Sequence, residues 1–191
     1  MKPESVKKFI DPFSIGIDLE SGEMVNASNH LIRRASDMKG YYKDENALLA
    51  LIKKENDPTH YEVFEYPVPE EYGHLMYCIS KLQPGNINSE FFMTKGHYHS
   101  IIQTAEIYLC LKGEGYILLK TYEGRSEAVP MKRGQMVYVP PFWAHRSINT
   151  GHIPLISFCI YQADAGHNYG DISIQGFPKR IFQIGDSVKI L

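Results

Sequence analysis

Cysteine is scarce: Cys78, Cys110 and Cys159 are the whole supply, far apart and odd in number. Each sits inside an apolar run, the usual setting of a buried free thiol, which argues against a disulfide framework. Long apolar stretches are lacking too. No segment approaches membrane-spanning length, and the start, MKPESVKKF, has no apolar core of the kind a signal peptide needs. A cytoplasmic, reducing location is therefore the expectation, with the Asn26-Ala27-Ser28 sequon idle. Charge of one sign is absent as well. Lysine and arginine total 20 against 22 acids, a net charge of -2. The bases are scattered, and runs such as Lys7-Lys8, Arg33-Arg34 and Lys53-Lys54 are no longer than pairs. Neither nucleic acid nor an anionic membrane is an expected partner. There is one tryptophan, and no internal repeat, low-complexity tract or linker.

What is present is a chain of 191 residues, 43% hydrophobic and 12% aromatic, with 13 tyrosines. That length suits one domain with a substantial core, and the aromatic bias suits strands. One helix is expected over Glu45 to Lys54, capped by Asp44, with acid at its start and lysines in its last turn. After Asp57-Pro58 the pattern changes to short strands over 61–66, 75–82, 91–94, 106–111, 116–121, 136–139 and 155–161. Lys112-Gly113-Glu114-Gly115 reads as a turn between two of them. Many short, punctuated strands predict a β-sandwich or barrel. The division is one domain over 1–191: an N-terminal extension and helix over 1–58 packed on a barrel core over 59–191.

The chemistry concentrates in Gly96-His97-Tyr98-His99, in Glu106, and in His145 after Pro140-Pro141. On an extended segment His97 and His99 share a face, so both can reach one ion. In the strand from Glu106 to Leu111, Glu106, Tyr108 and Cys110 form the more polar face. Ile107, Leu109 and Leu111 form the other and need cover from the N-terminal segment or a second subunit. Barrel closure would bring His145 to the same place. Three imidazoles and a carboxylate suit Fe2+, Mn2+, Ni2+, Co2+ or Zn2+, and do not suit the oxygen-rich preferences of calcium or magnesium. His30, His60, His74 and His152 show no partners in sequence and read as ordinary loop or surface histidines. Trp143 reads as packing beside the His145 corner.

The two segments resemble the paired motifs of the cupin superfamily of small β-barrels. The first is His97-x-His99, Glu106 and Gly113; the second is Gly134, Pro140, His145 and Asn149. Two positions depart from the general pattern: the glutamate stands further from the histidines, and Phe142 occupies a place where glycine is usual. The stretches 91–99, 138–146 and 161–170, with 33–41 near the N-terminus, closely resemble the archaeal, cupin-type glucose-6-phosphate isomerases. The resemblance implies an all-β, cupin-type barrel (a double-stranded β-helix or jelly roll) with a short N-terminal helical segment. It implies His97, His99, Glu106 and His145 as ligands of one divalent transition metal per subunit, iron(II) first. It places Tyr61, Ser80, Thr94, Gly96 and Tyr161 at the phosphoryl end of the sugar. Tyr108, His167 and Tyr169 fall near the reacting end, with Glu106, His167 and Tyr108 as the catalytic set. Where the family more often carries threonine, Ser80 keeps the hydroxyl. A homodimer is the expected assembly.

Moving a hydrogen between C1 and C2 of an open-chain hexose phosphate requires stabilised enediolate charge and a proton carrier. Glu106, weakened as a base by metal ligation, is one carrier; hydroxide held at the ion and His167 are others. A direct hydride shift is compatible with the same residues. Lys95 could add charge at the phosphate or simply face solvent. Two other classes share the ligand set: dioxygenases, which need oxygen, and non-catalytic sugar- or metal-binding barrels. Mannose-phosphate isomerase is the nearest functional neighbour, differing in stereochemistry at C2.

Overall fold

The computed structural model describes residues 8–27 and 29–191. Lys7 and most of the N-terminal stretch lie outside the described residues, as does Ser28 of the sequon. The strands are β1 (Asn29–Arg34), β2 (Thr59–Glu65), β3 (Leu75–Leu82), β4 (Asn86–Ile87), β5 (Glu90–Phe91), β6 (Glu106–Lys112), β7 (Glu114–Lys120), β8 (Ser126–Lys132), β9 (Met136–Val139), β10 (Ala144–Asn149), β11 (Leu155–Gln162), β12 (Ile181–Ile184) and β13 (Ser187–Ile190). The helices are α1 (Glu45–Lys54) and α2 (Gly170–Gln175), with a short 3-10 turn over Ala35–Met38.

Six strands form one antiparallel sheet in the order β1-β2-β3-β11-β6-β9, and β10-β7-β8 form a second. A third sheet, β13-β12-β5-β4, follows the chain that runs onto β10 through the Met93–Ile148 and His97–His145 pairings. Leu82, Cys110, Val139 and Cys159 of the large sheet share one apolar cluster with Ile117, Leu119, Met131 and Ile148 of the second. The all-β barrel expected from sequence is thus what forms, with α1 and the 3-10 turn packed on it through Leu48, Ala35 and Met38.

Alternation along β6 follows the reading from sequence: Glu106, Tyr108 and Cys110 are buried, while Ile107, Leu109 and Leu111 are turned outward. The described residues of the N-terminal segment cover one end of that outer face, where Leu111 packs with Ile15, Ile17 and Met24. Helix α1 has the expected bounds, and the Asp44 carboxylate accepts the Ala47 N–H at 3.0 Å. The sheet begins earlier than expected, since β1 lies within the segment 1–58 and pairs along β2. Strand β8 was unexpected because Pro130 interrupts it. It pairs only with β7, and an edge strand tolerates a missing N–H. His145 lies on β10 itself rather than in the corner before it.

Candidate metal centre

Backbone pairing extends the segment carrying the first two histidines. His97 exchanges backbone hydrogen bonds with His145 of β10 (3.2 and 3.1 Å), and Tyr98 does so with Asn168 (3.0 and 2.8 Å). The extended backbone sends Tyr98 outward to stack on Tyr122 and leaves His97 and His99 on the other side. Gly96, just before them, has φ +75, and a Cβ there would lie 2.9 Å from both the His145 carbonyl and Arg146. Only glycine fits that approach.

His97, His99, Glu106 and His145 each offer a ligand atom, and these atoms lie within 4.8 Å of one another. His145 Nε2 and His99 Nε2 stand 2.9 and 3.1 Å from Glu106 Oε2. The Thr104 hydroxyl donates to the Ile101 carbonyl, so toward His99 Nδ1 at 2.7 Å it can only accept. A proton therefore sits on His99 Nδ1, and Nε2, 3.1 Å from the Glu106 carboxylate, is the nitrogen available to an ion. Buried His97 Nε2 and both ring nitrogens of His145 have no hydrogen-bond partner. Lone pairs and a carboxylate oxygen converging in a buried space repel one another unless a cation lies among them, so the donor set fits a divalent transition ion. Burial, then the His145 and His167 imidazoles, holds His97 well below the ordinary histidine range, which keeps it neutral as a ligand must be. Burial pushes the Glu106 carboxyl up, but His145, His99 and His97 outweigh it and leave the group below the usual carboxylate range.

A cavity of about 250 Å³ opens from this cluster, between the six-stranded sheet and the chain around Thr94, Gly96 and Ser147. Every residue expected at the substrate lines it: Tyr61, Ser80, Thr94, Gly96, Tyr161, Tyr169, Tyr108 and His167. The His167 ring lies 4.4 Å from His97 and stacks on Tyr169 at 6.2 Å, so the loop before α2 hangs over the ligand cluster. Burial is also the main reason His167 lies below its ordinary range. Burial and the adjacent Glu106 push the Tyr108 hydroxyl well up, so it remains a neutral donor.

Thr94 Oγ1 accepts the Ser147 N–H at 3.0 Å, leaving its own proton free to donate. Tyr61 is pushed up to about 12 by burial, with Tyr169 adding to it, and Arg33 and the Lys95 backbone act as its hydrogen-bond partners. Arg33 faces Tyr61 across the β1–β2 pair, and its buried Nε has no partner. Lys95 stands over the Tyr41 ring at 5.5 Å, depressed by burial and then by Arg33. No ion pair neutralises either cation among the described residues. Arg33 was not singled out from sequence; its signal was the family-like stretch 33–41. The Tyr161 hydroxyl, in contrast, donates to Glu65 at 3.4 Å, which puts an acid at that position.

Of the remaining histidines, His30 and His152 are exposed and His74 is half-buried, as expected, whereas His60 is not at the surface. His60 is fully buried, with Nε2 2.7 Å from the Tyr42 hydroxyl. His30 pairs with Glu62 at 2.9 Å, and His74 bonds the Lys8 carbonyl at 3.0 Å. Trp143 packs against the core with Arg125 over its ring, as expected for a packing residue.

A family profile described as glucose-6-phosphate isomerase matches residues 32–188. The glucose-6-phosphate isomerase of Thermococcus gammatolerans is 47% identical over 180 residues, covering 94% of each chain. That of Thermococcus litoralis is 46% identical over 183 residues, covering 96% of this chain and 95% of its own. The Pyrococcus horikoshii enzyme is 45% identical over 181 residues, covering 95% of each. Among solved structures, an oxalate decarboxylase overlays 55% of this chain and 26% of its own at 18% identity, with a TM-score of 0.45. The profile match over most of the sequence, together with near-half identity to full-length relatives, establishes that this chain belongs to the glucose-6-phosphate isomerase family.

Proposed function

We propose that this protein is a metal-dependent aldose–ketose isomerase that interconverts glucose 6-phosphate and fructose 6-phosphate, a cytoplasmic step of glycolysis and gluconeogenesis. The observation that carries the metal dependence is the convergence of three imidazoles on the Glu106 carboxylate at the wall of a cavity. His97, His99, Glu106 and His145 would hold the ion, iron(II) first, with Mn2+, Ni2+, Co2+ or Zn2+ also suited. When bound, a divalent ion supplies Lewis-acid stabilisation of the oxyanion charge that develops at C1 and C2.

The rest is done by the chain. Arg33 and Lys95, unpaired beside Tyr61, Thr94 and Gly96, attract the phosphoryl dianion. The Thr94 and Ser80 hydroxyls and the Gly96 N–H complete its hydrogen bonds. Glu65 beside Tyr161 repels a phosphate, so Tyr161 faces the sugar hydroxyls instead. Holding that remote end extends the sugar and directs its other end at Glu106. His167, neutral and facing His97, carries the proton at Nδ1 or Nε2 between the two carbons, and Tyr108 donates a hydrogen bond to the developing oxyanion. Family membership favours this reading over a dioxygenase or a binding module, whose ligand set is the same.

A homodimer is part of the reading. Ile107 with Met136 and Tyr138 leaves an apolar outer face on β6 and β9, Tyr138 being 60% exposed. A single monomeric species at sedimentation equilibrium, at all accessible concentrations, would rule it out.

The deciding experiment is anaerobic turnover of fructose 6-phosphate by metal-stripped protein, with and without added divalent ions. Activity restored by metal in the wild type and absent from His99→Ala is the expected result. Undiminished turnover by metal-free protein sinks the metal dependence. Metal binding without turnover of any hexose phosphate sinks the isomerase.

A further inference from the structure

The metal centre uses none of the protein's thiols, yet two of them share the cavity wall. Cys78 on β3 and Cys159 on β11 are directly opposite in the antiparallel register. Both are reduced and buried, and both line the same cavity as the substrate residues. Cross-strand partners have Cβ atoms roughly 4.5–5.5 Å apart, so two thiols on one face can reach a common point. Zinc–sulfur bonds of about 2.3 Å at a tetrahedral centre need sulfurs a little under 4 Å apart, and a larger d10 ion takes a slightly wider pair, a separation that rotamer adjustment at such a pair provides. Neither sulfur belongs to the imidazole–carboxylate cluster. The third thiol, Cys110, does not line the cavity and donates to the Lys112 and Gly113 carbonyls at 3.4 and 3.6 Å.

We propose that Cys78 and Cys159 form a second, soft-metal site, which takes a thiophilic d10 ion such as Cd(II) or Hg(II) in the cavity wall. Paired sulfur donors select soft ions, whereas the imidazole–carboxylate centre selects borderline ones. Binding breaks two S–H bonds, forms two sulfur–metal bonds and releases two protons to solvent, with no electron transfer. Water from the cavity fills the remaining positions. Cys78 lies two residues from Ser80 on β3, and Cys159 two residues from Tyr161 on β11. An ion there occupies the stretch of wall between those side chains, so it excludes the sugar and makes the protein sensitive to thiophilic metals. In the pair's own setting, burial and the neighbouring Cys78 push the Cys159 thiol well up, which protects it from alkylation and oxidation but not from an ion that displaces its proton.

The test is titration of the metal-loaded protein with Cd(II), following the ultraviolet thiolate-to-cadmium charge-transfer band and proton release. One equivalent should develop the band with two protons released, and saturating fructose 6-phosphate should suppress it. Cys78→Ser and Cys159→Ser should each lose the band, while Cys110→Ser and His99→Ala keep it. Circular dichroism verifies that each variant folds, and the wild-type and Cys110→Ser titrations suffice should a pair variant not fold. Absence of the band, its survival in a folded Cys78→Ser variant, its loss in Cys110→Ser, or its loss in His99→Ala overturns the proposal.

Discussion

On the proposed reading, Arg33 supplies what the hydroxyls around the cavity lack, a fixed positive charge with no ion-pair partner among the described residues. A hydrogen bond to a charged group contributes about 1.5–3 kcal/mol, which is roughly a 10- to 100-fold change in binding. Arg33→Gln is therefore expected to raise KM for fructose 6-phosphate by about that factor, with a smaller fall in kcat. Steady-state kinetics decide it, and an unchanged KM would remove Arg33 from the phosphoryl site. Thr104 acts on the other end by fixing the His99 tautomer. Loss of such an orienting partner typically costs about 10- to 100-fold in metal affinity, so Thr104→Val should need correspondingly more metal to reach half-maximal loading. A wild-type loading curve for Thr104→Val would show that the tautomer is held by other means. The cluster of three histidines and a glutamate was legible because His-x-His, a glutamate on the polar face of the following strand and a later histidine form a motif in the sequence itself. Arg33 was not, because its role depends on β1 pairing with β2, and that pairing was not foreseen. His60 was misread for a related reason: its partner, Tyr42, is brought to it only by the packing of the N-terminal segment.

At the level of elements, α1 was legible to its ends because its signals are local: a capping aspartate, an acidic first turn and a basic last turn. Strand β10 was hidden because its sequence, Ala-His-Arg-Ser-Ile-Asn, looks polar while every residue of it is buried. Some of its polar groups find partners outside the strand. Arg146 donates to the Lys95 carbonyl at 2.6 Å, and the Asn149 amide donates to the carbonyls of Leu82 and Ile153. Such pairings exist only in the fold. Helix α2 is short and has no side-chain cap; Ile172 packs it on the core, and Lys120 on β7 places its ammonium 2.7 Å from Asp171. That pair fixes the end of the loop carrying His167 and Tyr169. Removing one partner of a buried pair costs about 3–5 kcal/mol because the other charge is stranded. Lys120→Met should destabilise by roughly the lower figure, since Asp171 is partly exposed, and should depress kcat by misplacing His167. The double variant Lys120→Met, Asp171→Leu should regain most of the stability in urea melts. Equal destabilisation by single and double variants would mean that packing, not charge, anchors α2.

For the molecule as a whole, the join between the N-terminal segment and the barrel runs through a histidine. The Tyr42 hydroxyl accepts the Met93 N–H at 3.1 Å and donates to His60 Nε2 at 2.7 Å, so His60 must be neutral to accept. Its ring packs on Phe92 with no acid beside it. Burial lowers it from 6.5 to about 3. The sign of the effect on stability follows from proton uptake. Above pH 6.5 neither state binds the proton, and the full stability is present. Between 6.5 and about 3 the unfolded chain takes it up while the folded protein does not, so acid favours unfolding across that window. Below about 3 both states are protonated and this contribution has been lost. One proton corresponds to a slope of about 1.4 kcal/mol per pH unit. His60→Gln keeps an acceptor for Tyr42 and removes the titration. Denaturant melts from neutral pH to pH 4 should show the wild type losing stability more steeply than His60→Gln by up to that slope, with the two curves parallel above pH 7. Curves that stay parallel throughout would mean that His60 is protonated in the folded protein, and that the junction opens locally before the barrel unfolds.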